Sequence, residues 1–300
     1  MKLAAIDIGS NAVRLQITNT LEYQQTVTFK KLEYIRFPLR LGHDVFTTGR
    51  ISETNKEKFL KLLSAFKTMI DLYEVDGYYG CATSAMRESE NGQKILDRAK
   101  ADFGLEIHII DGDEEARLVN EAVKLGMSNG NYLHVDVGGG STELNLYSGG
   151  EKIKSASFRI GSVRRLNHRD SPEVWSTMKS WIQQEVKTGR SLTAIGTGGN
   201  INKLFELSAA HKNSRQMTLD ELKAVVNMLM SLSMEERLLR LQLNEDRADV
   251  IIPASDIYIQ VMEMAKTTII QVPDVGLKDG INLMLYERSH PNHGRMIVRN

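Results

Sequence analysis

Apolar and polar residues alternate along the chain in patterns that predict strands and helices in turn. A continuous apolar run over residues 3–8 predicts a buried strand, and a strict alternation over residues 13–18 predicts a second one. Apolar side chains at helical spacing from about Ser52 predict a long helix. The same reasoning predicts strands near residues 23–37, 78–82, 106–110, 132–137, 144–147, 153–160 and 192–195, and helices near residues 93–103, 114–125, 172–187, 201–207, 219–232, 235–241, 256–270 and 281–287.

One strand-and-turn pattern occurs twice. Residues 5–11 (AIDIGSN) and 134–142 (HVDVGGGST) each place an aspartate in an apolar strand that ends in glycine and small polar residues. The two aspartates, Asp7 and Asp136, are 129 positions apart, about the length of one domain. Because strands and helices follow each copy, the repeat predicts two similar α/β domains. A polar, glycine-containing linker places them at residues 1–127 and 128–300.

The repeated turn predicts a chemistry as well as a fold. A glycine-rich turn after a strand lets backbone N–H groups approach an anion closely, which favours phosphate binding. Asp7 and Asp136 project near the same strand ends and are candidate ligands of a divalent cation. Mg²⁺ is the expected ion, since it binds one or two carboxylates together with phosphate oxygens and water. A purely structural turn is the alternative for either copy taken alone.

Composition and charge exclude several classes of protein. The 300 residues include 38 basic and 38 acidic side chains, with 25% charged and 41% hydrophobic residues, as in ordinary globular proteins. Intrinsic disorder, collagen-like repeats and a disulfide-rich scaffold are excluded. The zero net charge argues against a nucleic-acid binder, which usually carries a basic excess.

The cysteine content and the apolar runs predict the compartment. Cys81 is the single cysteine of the chain, so a reducing cytoplasm is the simplest location. No apolar run reaches the ~18 residues that a membrane span needs, which predicts a protein without a membrane partner.

One stretch is locally basic. Residues 152–169 contain no Asp or Glu and six basic residues: Lys152, Lys154, Arg159, Arg164, Arg165 and Arg169. Such a stretch could guide a polyanion toward a binding site. A solvated basic edge without that role is the alternative.

Eight segments resemble, in the same order, the motifs of the exopolyphosphatase and guanosine pentaphosphate phosphohydrolase (Ppx/GppA) family. They are residues 5–15 (AIDIGSNAVRL), 39–42 (LRLG), 82–88 (ATSAMRE), 111–118 (DGDEEARL), 136–143 (DVGGGSTE), 196–199 (GTGG), 246–251 (DRADVI) and 276–280 (GLKDG). The resemblance implies two RNase H-like α/β domains of the actin-like, sugar-kinase and Hsp70 superfold, with an interdomain cleft. It also implies a short form, without the C-terminal HD-type domain of the family's long members.

The resemblance assigns roles to individual residues. Glu115 matches the carboxylate that activates the attacking water, and Arg87 matches an arginine that stabilises charge on phosphate. From the residues alone, Glu115 also fits a solvated side chain in the first turn of a helix, and Arg87 a surface arginine. Arg14 fits a structural role about as well as a ligand role. The implied metal ligands are Asp7, Asp136 and Glu143. The implied phosphate-binding residues are Gly9, Ser10, Asn11, Gly139, Gly140, Ser141, Thr142, Gly198 and Gly199.

The implied function is Mg²⁺-dependent release of terminal orthophosphate from inorganic polyphosphate, pppGpp or both. Mn²⁺ is an alternative metal, and a monovalent cation is a further candidate cofactor. Residues 253–255 (PAS) stand where the family typically has a glycine pair beside the base pocket, which favours polyphosphate over a nucleotide. Ala12 replaces a usual Ser or Thr.

Two other functions stay open at this point. One is a sensor that binds polyphosphate or guanosine penta- or tetraphosphate with weak catalysis. The other is an ATPase or kinase of the same superfold. A homodimer is a further open alternative, and no nucleic-acid partner is expected.

Overall fold

A computed structural model describes residues 1–24, 26–186, 191–208, 214–291 and 296–298 of the chain. Its strands are β1 (Lys2–Ile8), β2 (Val13–Tyr23), β3 (Thr26–Phe37), β4 (Gly77–Ala82), β5 (Ile107–Ile109), β6 (Asn131–Val137), β7 (Thr142–Ser148), β8 (Glu151–Phe158), β9 (Thr193–Thr197), β10 (Gln216–Thr218), β11 (Ile269–Gln271) and β12 (Met296–Val298). Its helices are α1 (Leu41–Thr48), α2 (Glu53–Leu72), α3 (Ser84–Glu88), α4 (Gly92–Phe103), α5 (Gly112–Lys124), α6 (Ser162–Leu166), α7 (Pro172–Glu185), α8 (Gly199–Leu207), α9 (Leu219–Ser231), α10 (Met234–Leu239), α11 (Glu245–Ala248), α12 (Ile251–Met264) and α13 (Leu277–Ser289).

The chain divides into two compact units. The first unit comprises Met1–Gly126 and Val275–Asn300, and the second unit comprises Met127–Asp274. The sequence analysis placed residues 275–300 in the second domain instead. They group with the first unit because α13 packs against α5 and β1.

Each unit contains a six-stranded mixed sheet, and five strands of each sheet follow the same order. The first sheet runs β12-β3-β2-β1-β4-β5, and the second, read from its other edge, runs β8-β7-β6-β9-β11-β10, so that the sixth strands β12 and β10 lie at opposite edges. In each sheet the first three strands along the chain are antiparallel neighbours. The first strand pairs in parallel with β4 or β9, which pairs in parallel with β5 or β11. This repeated order confirms the predicted fold class, two RNase H-like α/β units.

Apolar cores hold helices against both sheets. In the second unit, Leu133 and Val135 of β6 pack in one buried cluster with Ile257 and Val261 of α12. Each fully buried side chain of this size contributes about 1.5–3 kcal/mol, so the cluster is enough to fix the helices on the sheet. Within the described residues, no helix is long and apolar enough to cross a membrane.

The helix predicted at the C-terminal end of the second unit is wrong in its bounds. The sequence predicts a helix over residues 256–270, whereas α12 begins at Ile251 and ends at Met264, and Ile269–Gln271 forms β11. Pro253 is tolerated because it lies in the first helical turn, where its missing N–H has no partner to lose. β11 becomes a strand because it pairs in parallel with β9.

Several short elements were not predicted. Tertiary contacts rather than local sequence stabilise elements of this length, so periodicity does not reveal them. They are α1, α3, α6, α11, β10, β11 and β12. The predicted end of a helix at Lys187 lies outside the described residues.

The contact between α13 and α5 leaves no room for a side chain at Gly280. A Cβ atom built on Gly280 would lie 1.8 Å from the carbonyl oxygen of Leu118 in α5. We therefore expect Gly280→Ala to force the two helices apart and to lower the free energy of unfolding by about 3 kcal/mol, measured by urea denaturation. Gly276→Ala is the matched control, because a Cβ there meets nothing within 4 Å. A similar loss for both variants would contradict the packing argument.

Candidate functional site

The first unit places an ion pair at the end of β1. Asp7 lies directly opposite Arg14 of β2, and Arg14 Nη1 donates to Asp7 Oδ2 at 2.8 Å. Burial of the guanidinium acts to lower the pKa of Arg14, but Asp7 and Tyr34 more than offset it, so this pKa is raised. Arg14 therefore neutralises Asp7 within the protein, which supports the structural role of Arg14. The predicted role of Asp7 as a metal ligand stays a prediction.

The turn that follows β1 is closed by its own hydrogen bonds. Gly9 N donates to Ala12 O at 3.1 Å, so this N–H is already used. The prediction that Gly9 offers its N–H to phosphate is therefore corrected. The hydroxyl oxygens of Ser10 and Ser84 lie 2.8 Å apart, which joins the turn to the start of α3.

The carbonyl side of the same turn is held by the beginning of α1. Gly42 N donates to Ser10 O at 2.7 Å, and Arg40 N donates to Asn11 O at 2.9 Å. The turn is thereby fixed from the side that carries its carbonyl groups.

The catalytic carboxylate predicted from the motif lies in the first turns of α5. Asp111 caps this helix, accepting from Glu114 N at 2.8 Å. Glu114 forms a two-fold ion pair with Arg117, with nitrogen–oxygen distances of 2.7 and 2.8 Å, which lowers the pKa of Glu114. The ion pair holds Glu114 against a residue of its own helix, and Glu114 and Glu115 are both half-buried.

Arg87 is tied to the beginning of the same helix. Its Nη1 donates to the carbonyl oxygen of Ile110, directly before the capping residue, at 2.6 Å. Arg87 is half-buried rather than a solvated surface arginine. The structure therefore brings Arg87 to the strand end that also positions Glu115.

Cys81 of β4 responds electrostatically to acidic side chains of the first unit. The thiol is fully buried, and its pKa is raised well above the usual value by burial, then by Asp7, Glu115 and Glu114. Cys81 lies beside Asp7 in the parallel pairing of β1 and β4.

The second unit places two acids at the position equivalent to the Asp7–Arg14 pair. Asp136 of β6 lies directly opposite Glu143 of β7. Glu143 is only 3% exposed, and its Oε1 accepts from Ser157 Oγ at 3.0 Å. Like charges directly opposite each other destabilise a sheet, so this pair is suited to a bound cation. Within the described ranges, no group of three or more His, Cys, Asp or Glu residues could hold a metal ion by itself.

The second loop, which we define as residues 138–141, is a compact turn. Gly138 N donates to Ser141 O at 3.0 Å. The N–H groups of Gly139, Gly140 and Ser141 have no acceptor in the part of the chain that the structure describes. Successive N–H groups of this kind suit the binding of an anion, and the phosphate-binding role of these three residues stays a prediction.

Thr142 does not fit the role predicted for it. Its hydroxyl donates to Ile160 O at 2.6 Å, and the side chain is fully buried. The hydroxyl therefore stabilises the hairpin instead of contacting phosphate.

The turn at residues 197–199 lies next to Asp136. The hydroxyl of the buried Tyr258 donates to Thr197 O, and this bond holds the turn at its first residue. Gly198 has a φ of 111°, a conformation that favours glycine, and a Cβ there would lie 3.5 Å from Asp136 Oδ1. Helix α8 begins at Gly199. The predicted residues Gly198 and Gly199 are thus brought to the strand end that carries Asp136.

A buried hydrogen-bonded group supports this turn. His134 Nε2 lies 2.8 Å from Thr197 Oγ1, and its Nδ1 lies 3.3 Å from Asn145 Nδ2. Because an amide nitrogen can only donate, Nδ1 accepts and Nε2–H donates to Thr197. Burial lowers the pKa of His134 to about 3, so the ring stays neutral at physiological pH.

The basic stretch does not form one free cationic surface. Arg164 is 5% exposed, and its Nε donates to Gly140 O at 2.9 Å. Arg165 forms ion pairs with Asp170, at 2.7 Å, and with Asp256. Two of its six cations are therefore used inside the unit, and guidance of a polyanion by the stretch stays a prediction.

Sequence reasoning overlooked two of these relationships although signals existed. Arg14 and Glu143 each stand seven positions after the aspartate that they oppose, so the hairpin repeat itself predicts both pairs. Arg164 was interpreted only as one cation of the basic stretch, although it stands three positions after Gly161.

The family profile of the Ppx/GppA phosphatase family matches residues 22–289. A solved structure of an Aquifex aeolicus member of the Ppx/GppA family is 26% identical, with a TM-score of 0.74, and the match covers 98% of this chain and 99% of that one.

Three curated relatives are similar in sequence. The exopolyphosphatase 1 of Mycobacterium bovis is 22% identical over 304 residues, covering 94% of this chain and 88% of the relative. A guanosine-5'-triphosphate,3'-diphosphate pyrophosphatase of Aliivibrio fischeri is 25% identical over 292 residues, covering 93% of this chain and 58% of the relative. A bifunctional 3-dehydroquinate synthase/phosphatase of Fusobacterium nucleatum is 32% identical over 198 residues, or 61% of this chain and 30% of the relative. The chain thus spans less than two thirds of the length of the last two.

The neutral state of His134 predicts a pH-dependent stability. Its pKa in the folded protein, about 3, lies below the ordinary value of 6.5. The unfolded chain therefore binds the proton more strongly, and stability present above pH 6.5 is lost as the pH falls toward 3. We expect a loss of about 2 kcal/mol between pH 6.5 and pH 5, measured by urea denaturation.

His134→Gln should remove this pH-dependent loss of about 2 kcal/mol, whatever its effect on the free energy of unfolding at neutral pH. His168→Gln removes an exposed histidine and is the control. Equal pH slopes for both variants and the unmodified protein would contradict the assignment.

Proposed function

The chain belongs to the Ppx/GppA phosphatase family, and from this premise we propose that it hydrolyses the terminal phosphoanhydride bond of inorganic polyphosphate or pppGpp. The observation that carries the proposal is the second loop, residues 138–141, with three successive backbone N–H groups that lack a protein acceptor in the described ranges. Relatives named as an exopolyphosphatase and as a guanosine-5'-triphosphate,3'-diphosphate pyrophosphatase support these two substrates.

Phosphate recognition is assigned to backbone groups. Gly139, Gly140 and Ser141 donate their N–H groups to phosphate oxygens, and the beginning of α8 at Gly199 supplies further N–H groups of a helix N-terminus. In the first unit, Ser10 and Asn11 are the corresponding phosphate ligands. Backbone donors read charge and shape, so a uniform phosphate chain is a suitable substrate.

Glu115 activates the attacking water in this proposal. Its carboxylate accepts a proton as the water oxygen bonds to the terminal phosphorus and the bridging phosphorus–oxygen bond breaks. The remaining phosphate chain leaves with the electrons of that bond. Phosphoryl transfer depends mainly on position and charge neutralisation, so a fixed carboxylate is sufficient. Arg87, held at the beginning of α5, stabilises negative charge on the transferred group.

Asp136 and Glu143 fit a divalent cation. They lie opposite each other on neighbouring strands, Glu143 is buried, and no arginine occupies the position that Arg14 takes in the first unit. Bound Mg²⁺ would neutralise phosphate oxygens and polarise the terminal phosphate. Mn²⁺ is the alternative ion. A monovalent cation, a cytoplasmic location and a homodimer stay predictions from the sequence.

Glu115→Gln should reduce phosphate release by about 10²–10⁴-fold, because the amide cannot accept the proton of the attacking water. The measurement is orthophosphate release from long-chain polyphosphate, pppGpp and ATP with Mg²⁺ present. Glu114→Gln is the matched control, one position away in the same helix, and should retain activity within about threefold because Glu114 is bound to Arg117.

The outcomes of this assay separate the candidate functions. Near-normal turnover by Glu115→Gln would contradict the assignment of the base. Preferred hydrolysis of ATP would indicate an ATPase of the same superfold. Tight binding of polyphosphate without phosphate release by the unmodified protein would indicate a sensor.

The two equivalent aspartates should respond in opposite ways to neutralisation. In EDTA, Asp136→Asn relieves repulsion with Glu143 and should raise the free energy of unfolding by about 0.5–1 kcal/mol. Asp7→Asn leaves the partly buried Arg14 without its carboxylate partner and should lower it by about 1–2 kcal/mol. Added Mg²⁺ should stabilise the unmodified protein but not Asp136→Asn. Equal stabilisation by Mg²⁺ of both proteins would contradict the metal assignment.

A further inference from the structure

The second loop, residues 138–141, is held by one short segment, residues 161–164, which we call the clamp segment. Ser162 N donates to Gly138 O at 2.9 Å, and Ser162 Oγ donates to the same oxygen at 3.3 Å. The N–H groups of Val163 and Arg164 both donate to Gly139 O, at 2.9 and 3.0 Å. Three successive carbonyl groups of the loop are bound in this way, because Arg164 Nε donates to Gly140 O at 2.9 Å.

These bonds determine where the loop's N–H groups point. In a planar trans peptide, the C=O group and the N–H group of the next residue point in opposite directions. Fixing the carbonyl groups of Gly138, Gly139 and Gly140 on the clamp segment therefore directs the N–H groups of Gly139, Gly140 and Ser141 away from it. The phosphate-binding direction of the loop is a consequence of bonds on its other side.

The clamp segment approaches the loop too closely for a side chain at its first position. A Cβ built on Gly161 would lie 2.5 Å from both the carbonyl carbon and the carbonyl oxygen of Gly139. Backbone donors of the segment serve the first two loop carbonyls. Among the hydrogen bonds that join the clamp segment to the second loop, the one to the third carbonyl, that of Gly140, comes from a side chain, Arg164.

We propose that Arg164 is a positioning residue, whose Nε–H fixes the peptide between Gly140 and Ser141 so that Ser141 N–H points at the phosphate chain. The inference rests on the proposed function for the identity of the ligand. Arg164 does not itself touch phosphate in this proposal, since its side chain is buried behind the loop.

Two substitutions separate the hydrogen bond from the charge. In glutamine, Nε2 is as many bonds from the backbone as Nε is in arginine, so Arg164→Gln retains a donor at this distance and removes the charge. In methionine, a methyl group takes the same position, so Arg164→Met removes both. The difference between these two variants isolates the donor to Gly140 O. Arg169→Gln removes one exposed positive charge five positions further along and is the charge control.

The experiment is calorimetric titration of each variant of the full chain with tripolyphosphate in the presence of Mg²⁺, together with kcat and KM for long-chain polyphosphate. We expect Arg164→Met to weaken binding and raise KM about tenfold or more, with a smaller change in kcat. Arg164→Gln and Arg169→Gln should bind within about threefold of the unmodified protein. The thermal unfolding midpoint of Arg164→Met should lie within a few degrees of that of Arg164→Gln.

Equal affinities for Arg164→Met and Arg164→Gln, whether high or low, would overturn the proposal, because the retained donor would then have no effect. If Arg164→Met does not fold, Arg164→Gln decides the matter, and a tenfold loss of affinity there would show that charge rather than the donor is needed. An unmodified protein that binds tripolyphosphate without hydrolysing any substrate would contradict the proposed function only, and the affinities of the variants would still test the role of Arg164. Absence of tripolyphosphate binding by the unmodified protein would overturn both.

Discussion

The turns after β1 and β6 depend on one physical requirement, the satisfaction of N–H groups at the beginning of the helix that follows the third strand of each unit. These groups have no partner within their own helix. At α6 they donate to the carbonyl groups of Gly138 and Gly139, and at α1 the N–H of Gly42 donates to Ser10 O. The loop thus caps the helix, while the helix orients the loop. Each unit has a glycine where this helix start approaches the loop. A Cβ on Gly42 would lie 2.8 Å from Ser10 Cβ in the first unit, and a Cβ on Gly161 would lie 2.5 Å from the carbonyl oxygen of Gly139 in the second.

The two units share this framework but differ in charge at one position. Seven residues after the aspartate, the first unit has Arg14 and the second has Glu143. Consequently the first unit neutralises its own aspartate, whereas the second concentrates two carboxylates beside a loop of N–H donors. Zero net charge over the whole chain conceals this local contrast. The proposed cation would allow such a carboxylate pair to coexist with the phosphate groups of the proposed substrate.

Much of this architecture was accessible from the sequence, because it depends on local patterns. The repeated strand and turn around Asp7 and Asp136 predicted two related units, and five strands of their sheets follow the same order. Motif positions also indicated Glu115 and Arg87. What the sequence could not show was which hydrogen bonds are already used inside the protein. Thr142 and Gly9 are of the residue types that bind phosphate, yet their donors are used by Ile160 and Ala12.

The two strand ends differ in how firmly the residue beside each aspartate is held. That residue lies on the neighbouring parallel strand. Asp7 is paired with Cys81, and Asp136 with Thr197. The Cys81 thiol is a weak donor, 3.8 Å from Ile6 O, and contributes little orientation. Thr197 is held twice, by His134 at its hydroxyl and by Tyr258 at its carbonyl. Two buried groups, His134 and Tyr258, therefore fix the turn beside Asp136, where the proposed cation would require ligands in constant positions. The first unit instead places the residue assigned to chemistry, Glu115, on a helix whose beginning is fixed by Arg87. In the second unit, the side chains assigned to binding are thus positioned by buried neighbours that take no part in it, whereas in the first unit Arg87 is assigned both the positioning of the helix and a part in the chemistry.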